Sequence, residues 1–357
     1  MKSIWFGLMV LLAGRALGEE TIRSRPADPI WAGDELVRLI NETRVGEAAH
    51  YRNLMVYPLV TAGRARRGYW TLDQALAKGV LRISEKGEGN VPELLVENRA
   101  DEPVFLLAGE IVTGGKQNRV ISQDILLGSH SGPISLGVFC VEHGRWTQRS
   151  EYFTAEKELA HGMLREKLSA PAASQSAVWG EVARKSAAVA ADQPNETQYL
   201  GQMYEDRSVK RNVDQYSRSI VMSPDANGMV VVIGSRVAGA EIFGAAETFG
   251  KLRDKLLRSY AVDALEESAD WRAEKPLPRG AVEAFLRRAN ATRLVPKETI
   301  GLGRLLGIEG RGLYGSVLVW REQDGAQGVV HASLFAQGGG DDRPPVVPMQ
   351  PRPLPRD

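Results

Sequence analysis

The chain has 357 residues, of which 43% are hydrophobic and 25% charged, and its formal net charge is +1. That apolar content fills an ample core in one large domain or two smaller ones. So balanced a charge gives no general electrostatic reason to bind nucleic acid or an anionic membrane, and Cys140, the only cysteine, rules out an intramolecular disulfide.

At the N-terminus, Lys2 precedes an apolar run over residues 4–13 that is too short to span a bilayer, and Ala16-Leu17-Gly18 places small residues at a cleavage site. This pattern predicts a signal peptide over residues 1–18 and an exported protein, periplasmic or secreted. No later apolar stretch has membrane length, so no membrane contact is expected after cleavage. Arg64, Arg66 and Arg67 form the one dense basic run and read as a solvated loop.

Residues 19–52 are polar and weakly patterned. A first strand is predicted over residues 53–59, with Pro58 confining it to an edge or an end. Thr71 and Gln74 have capping-box spacing for a short helix that ends at Gly79. Short apolar runs at 80–83, 91–96, 104–107, 120–127 and 134–141, broken by turn residues, predict strands.

After Trp146 the apolar spacing becomes helical over residues 155–168, 174–191 and 196–220. A strand over 229–233, a long amphipathic helix over 247–267 and a short helix over 282–289 follow. Runs at 300–308, 316–320 and 329–335 read as a three-stranded meander, and the Gly-, Pro- and Arg-rich residues 337–357 as a disordered tail. The order argues for an α+β fold: an antiparallel β-sheet or sandwich, a mid-chain helical segment and a C-terminal β-meander. We expect one domain over 19–336, β-rich at about 53–146, helical at about 150–220 and mixed at about 228–336.

Polar residues able to do chemistry concentrate in residues 104–146. Two apolar runs there stop at Glu110 and Glu142, and each is followed by a glycine and an arginine, Arg119 or Arg145. If the runs are neighbouring strands, both carboxylates sit at strand ends beside both guanidinium groups. Lys116, Gln117, Asn118 and Trp146 add hydrogen-bonding groups and a stacking surface suited to a polar, planar small molecule. Glu110 and Glu142 are therefore the candidate catalytic residues, and Lys116, Gln117, Asn118, Arg119, Arg145 and Trp146 the candidate ligand-binding residues. The competing reading makes the same charges salt bridges that pin two loops, in a non-enzymatic binding or scaffold protein.

Other motifs are weaker. The stretch from Gly109 to Lys116 lacks the spacing of a phosphate loop, because Gly115 stands where the lysine belongs and Gln117 where a Ser or Thr belongs. A looser anion cradle from Gly114, Gly115, Lys116 and Arg119 stays open. Gly310 to Gly315 matches a dinucleotide fingerprint as a string but opens no predicted helix, so it reads as a hairpin turn. Cys140 reads as a small buried residue. The five histidines show no metal-ligand spacing, though Glu110, Glu142 and His143 could still meet in space. No cofactor or protein partner is indicated.

The segments LLAGEIVTGGKQNRV and FCVEHGRW resemble the ARG and rhodanese-phosphatase-superfamily-associated domain, an uncharacterised and mostly bacterial family, and the similarity runs from Asn53 to Phe335. The resemblance implies a link, by genomic association, to pathways that use NAD-derived or ADP-ribose-containing nucleotides. It brings no catalytic residues.

Overall fold

The computed structural model describes residues 29–61, 68–189, 199–268, 276–321 and 327–337. The expected signal segment, the Arg64, Arg66 and Arg67 run and residues 338–357 lie outside them. Among the described residues no helix is long and apolar enough to cross a membrane.

The fold is α+β, with a nine-stranded antiparallel sheet as its largest element. Its strands run in the order Thr43–Val45, Leu54–Thr61, Gly228–Ile233, Arg236–Phe243, Gln327–Ala336, Leu313–Arg321, Arg304–Gly310 and Arg293–Lys297, and Ala49–Tyr51 also pairs with Leu54–Thr61. The strand Gly228–Ile233 is buried along its whole length, because helices cover both faces of the sheet. Val230 and Val232 pack with Leu36, Ile40, Val282 and Phe285 of the helices Pro29–Glu42 and Arg279–Arg288. Met229 and Val231 face the opposite core, with Leu252, Leu256 and Tyr260 of the long helix Ala246–Glu267. The expected C-terminal meander is present as the last three strands of the chain.

A six-stranded sheet has the order Thr154–Leu159, Glu110–Thr113, Arg119–Ile121, Ser131–Cys140, Glu93–Asn98 and Leu81–Asn90. A three-stranded sheet of Ile125–Leu127, Val104–Leu106 and Trp70–Thr71 packs across it. Their shared core holds Ile83, Val96, Val112 and Val138 from one sheet and Val104, Leu106 and Leu127 from the other. Phe105, Leu107 and Leu126, at alternate positions, turn to the long helix instead.

Several elements differ from expectation. The apolar runs that end near Glu110 and Glu142 are not neighbours in one sheet: Val104–Leu106 pairs with Ile125–Leu127, whereas Ser131–Cys140 pairs with Glu93–Asn98 and Arg119–Ile121. A tight turn closed by the Glu110 N–H on the Leu107 carbonyl, 3.1 Å, separates Glu110 from the strand Val104–Leu106, and Gly109 takes φ +96° there. Glu110 accordingly begins a strand. Residues 154–159 form an edge strand against Glu110–Thr113 before the helix Gly162–Ser169; Ala155 and Leu159 match helical spacing, but pairing with the sheet overrides it. The strand Arg236–Phe243 was not expected, nor was the helix Pro29–Glu42, whose buried residues Ala32, Leu36, Leu39 and Ile40 do recur at helical spacing.

Candidate functional site

The strands Glu110–Thr113 and Arg119–Ile121 form a hairpin whose loop, residues 114–118, was the expected anion cradle. Gly114 and Gly115 have φ +138° and +45°, and a Cβ on Gly115 would lie 2.4 Å from both Glu85 Oε1 and the Phe153 ring. The loop amides are engaged within the chain. Gly114 N–H donates to Asn118 Oδ1 at 3.1 Å, Gly115 N–H to Ser150 Oγ at 3.3 Å and Lys116 N–H to Glu85 Oε1 at 2.7 Å. The Lys116 ammonium donates to the Glu88 carbonyl and lies 5.5 Å from the ring centre of Trp146, which is 50% exposed.

Glu142 and Arg145 meet as a buried ion pair at 2.7 Å. The Glu142 carboxylate also accepts the Asn118 N–H at 3.1 Å. Arg145 donates through Nε to Glu142, through Nη1 to the carbonyls of Gly115 and Thr147, and through Nη2 to the Gly114 carbonyl and Asn118 Oδ1. All three nitrogens are engaged. The pair thus ties the chain after Cys140 to the hairpin loop.

Arg119 lies beside this clamp and is the opposite case. It is 0% exposed, yet Nε, Nη1 and Nη2 have no hydrogen-bond partner among the described residues. Burial pulls its pKa below the usual guanidinium value, against the opposing influence of Cys140, Glu85 and Glu142. Cross-strand pairing sets Arg119 directly opposite Cys140, so both side chains project from the same face of the sheet. Burial pushes the Cys140 thiol up, and the indole N–H of Trp179 faces it without an acceptor at hydrogen-bond distance. The thiol and Gln117 Nε2 both donate to the Glu142 carbonyl, at 3.2 and 3.0 Å. Gln117 Oε1 and Glu85 Oε2 are buried and lack donors among the described residues. Orphan polar atoms therefore lie about Arg119 and Cys140: Glu85 acts on the guanidinium, Trp179 faces the thiol, and Gln117 shares the Glu142 carbonyl with it. Such groups are rare in folded proteins and call for a bound molecule, water included. Trp179 and Gln175 sit on the helix Gln175–Val189, and the Gln175 amide bonds both the N–H and the carbonyl of Cys140, each at 2.8 Å.

Glu110 belongs to a different cluster. It is fully buried; one oxygen accepts the Leu107 N–H at 2.9 Å, and the other has no donor among the described residues. Lys255, held by Asp73 at 2.7 Å, stands 3.6 Å away. Burial, opposed by Lys255 and reinforced by Asp73, pushes the Glu110 carboxyl up to about 7. Of the expected residues, the structure thus joins Glu142, Arg145, Gln117, Asn118 and Arg119, keeps Lys116 and Trp146 at the exposed rim, and places Glu110 among other partners.

A polar centre of the large sheet was missed in the sequence. Arg165 grips both oxygens of Glu241 at 2.6 and 3.0 Å. Tyr260 donates to the same carboxylate at 2.7 Å, and His331 bridges it to Asp124 at 3.0 and 2.7 Å. Burial opposes charge on Glu241, but Arg165 and His331 outweigh it and hold the carboxyl at about 2. Burial likewise opposes the imidazolium of His331, and the two carboxylates outweigh it, raising its pKa to about 9. The available signal was one ionisable residue inside each of two apolar runs, Glu241 in AGAEIF and His331 in VVHASLF. The centre is internally satisfied and reads as a staple between the large sheet, the helices and the Asp124 turn.

The Gly310 to Gly315 string is the hairpin turn between Arg304–Gly310 and Leu313–Arg321, with Arg311 and Gly312 at φ +55° and +68°. Among the described residues no three His, Cys, Asp or Glu side chains are grouped to hold a metal ion, so Glu110, Glu142 and His143 do not converge.

No curated protein and no solved structure matches the chain. A family model does, over residues 42–335, which include the hairpin loop, the Glu142–Arg145 clamp and the Arg119 cluster. The chain belongs to the family defined by the ARG and Rhodanese-Phosphatase-superfamily-associated Protein domain.

Proposed function

We propose that the chain is an exported protein that binds a phosphorylated small molecule, of the ADP-ribose-like or nucleotide class, at the cluster around Arg119 and Cys140. The unpartnered Arg119 guanidinium carries this reading. A buried cation without a hydrogen-bonded counter-charge costs several kcal/mol, on the order of 3 to 5, and a bidentate oxyanion is the group that best offsets that cost. The ligand class follows from the family's association with ADP-ribose-linked pathways, and export from the N-terminal sequence. Where turnover accompanies binding, Glu142 is the candidate base beside Arg119; Glu110 serves only a substrate that reaches the Lys255 cluster.

The non-enzymatic scaffold reading has one observation in its favour, the complete engagement of Arg145 by the chain itself. A thermal-shift screen against phosphate, sugar phosphates, nucleotides and ADP-ribose decides between them. A ligand present at ~100 times its Kd stabilises the folded state by about 2.7 kcal/mol. The binding reading expects a saturable shift with a phosphorylated compound, and no shift with any of them supports the scaffold.

A further inference from the structure

We infer that the ligand of the Arg119 cluster must carry hydrogen-bond donors beside its oxyanion, and that Glu85, Gln117 and Trp179 determine this specificity. The inference rests on the anion-binding reading above and goes beyond it by naming what kind of anion fits.

The orphan atoms are of two kinds. The three nitrogens of Arg119 and Trp179 Nε1 are donors, whereas Glu85 Oε2 and Gln117 Oε1 are acceptors. A bare phosphate or sulfate offers acceptors for the first set and leaves the second unsatisfied. It also brings negative charge toward Glu85, whose other oxygen is committed to the Lys116 N–H. A phosphate ester with neighbouring hydroxyl groups satisfies both kinds at once: its oxyanion meets Arg119 and the indole, and its hydroxyls donate to Glu85 and Gln117. A site built to bond a hydroxyl discriminates strongly against the analogue without it, because its own buried acceptors are then left unpaired. Arg119, Cys140 and Gln117 are buried as residues, whereas Glu85 and Trp179 are partly exposed.

Glu85→Gln tests this with little change in shape. The retained oxygen still accepts the Lys116 N–H, while Oε2 becomes an NH2 group, an acceptor turned donor. Calorimetric titrations of the full chain and of E85Q would use inorganic phosphate, methyl phosphate, ribose 5-phosphate and ADP-ribose. The wild type is expected to bind ribose 5-phosphate or ADP-ribose at least ~10 times more tightly than methyl phosphate, the two separating a sugar phosphate from a nucleotide as the source. E85Q should narrow or invert that preference, chiefly by gaining affinity for methyl phosphate and inorganic phosphate. Equal affinity for methyl and hydroxylated phosphates in the wild type, or an unchanged ratio in E85Q, would overturn the inference while leaving anion binding in place. If none of the compounds binds, the anion-binding reading fails with it. Gln117→Met, which removes the second acceptor, should narrow the ratio in the same direction, and its thermal midpoint shows whether it folds.

Discussion

Arg119 and Arg145 share one electrostatic neighbourhood around Glu142, yet among the described residues every nitrogen of Arg145 is hydrogen-bonded and no nitrogen of Arg119 is. The two guanidinium groups are buried to similar degrees, so burial does not separate them. What separates them is supply. The hairpin loop turns its carbonyls toward Arg145, while the strand holding Arg119 has spent its carbonyls on its neighbours in the sheet. Arg145 is accordingly a clamp, and Arg119 a buried cation without a hydrogen-bond partner among the described residues.

Glu142→Gln should destabilise the chain by about 3 to 5 kcal/mol, the usual cost of leaving one half of a buried ion pair without the other. A urea titration measures this. Lost stability should come with loosened packing of the hairpin loop, read as faster amide exchange at Gly114 and Lys116. A midpoint equal to the wild type's would remove the clamp from the account.

Stability should have an optimum set by the Arg165, Glu241 and His331 centre. His331 has its pKa raised to about 9, so its contribution is fully present below its ordinary value near 6.5 and is lost as pH rises through 9. Glu241, held at about 2, contributes fully above its ordinary value near 4.5 and loses that contribution as pH falls through 2. Each limb amounts to roughly 3 kcal/mol at its extreme. Urea midpoints of His331→Gln should lose the alkaline limb; a limb unchanged in that variant would assign it to another group.

Glu110 acts with the opposite sign. Its carboxyl is raised to about 7 by burial, so the folded chain holds a proton that the unfolded chain has released, and stability falls as pH rises from about 4.5 to 7. Above pH 7 the penalty is about 3 kcal/mol. Glu110→Gln keeps an acceptor for the Leu107 N–H and removes the charge, so it should raise the thermal midpoint at pH 8 and leave it nearly unchanged at pH 4.5. A lower midpoint at pH 8 would show instead that the ionised carboxylate is held by Lys255.

Much of the fold was legible because its elements carry local signals. The long helix around Leu252, Leu256 and Tyr260 has helical spacing, the strand GMVVVI is continuously apolar, and the final meander is punctuated by glycines. The Glu142, Arg145, Gln117 and Asn118 grouping was also foreseeable, since it closes across one pair of neighbouring strands. The separation of Glu110 from it was not. It depends on the turn at Gly109 and on Lys255, 145 positions further along the chain, which no short-range pattern reports. The same holds for the Arg165 and Glu241 bond, and for Trp179 over Cys140, where the decisive contact joins a helix residue to a sheet residue. Residues 154–159 were misread as helix because two apolar residues four apart fit helical spacing, while pairing along a sheet edge has no counterpart in single-strand periodicity.

If Arg119 is kept for a ligand, as we propose, it contributes nothing to stability in the ligand's absence. Arg119→Met places an apolar chain of similar reach among Val112, Ile121 and Cys140 and removes the unpartnered charge. In a ligand-free thermal melt the variant should therefore be as stable as the wild type or more so, by up to about 1 to 4 kcal/mol, while the shift induced by a phosphorylated ligand disappears. A ligand-free midpoint lowered as far as that of Glu142→Gln would contradict the account, since it would make Arg119 a structural partner like Arg145.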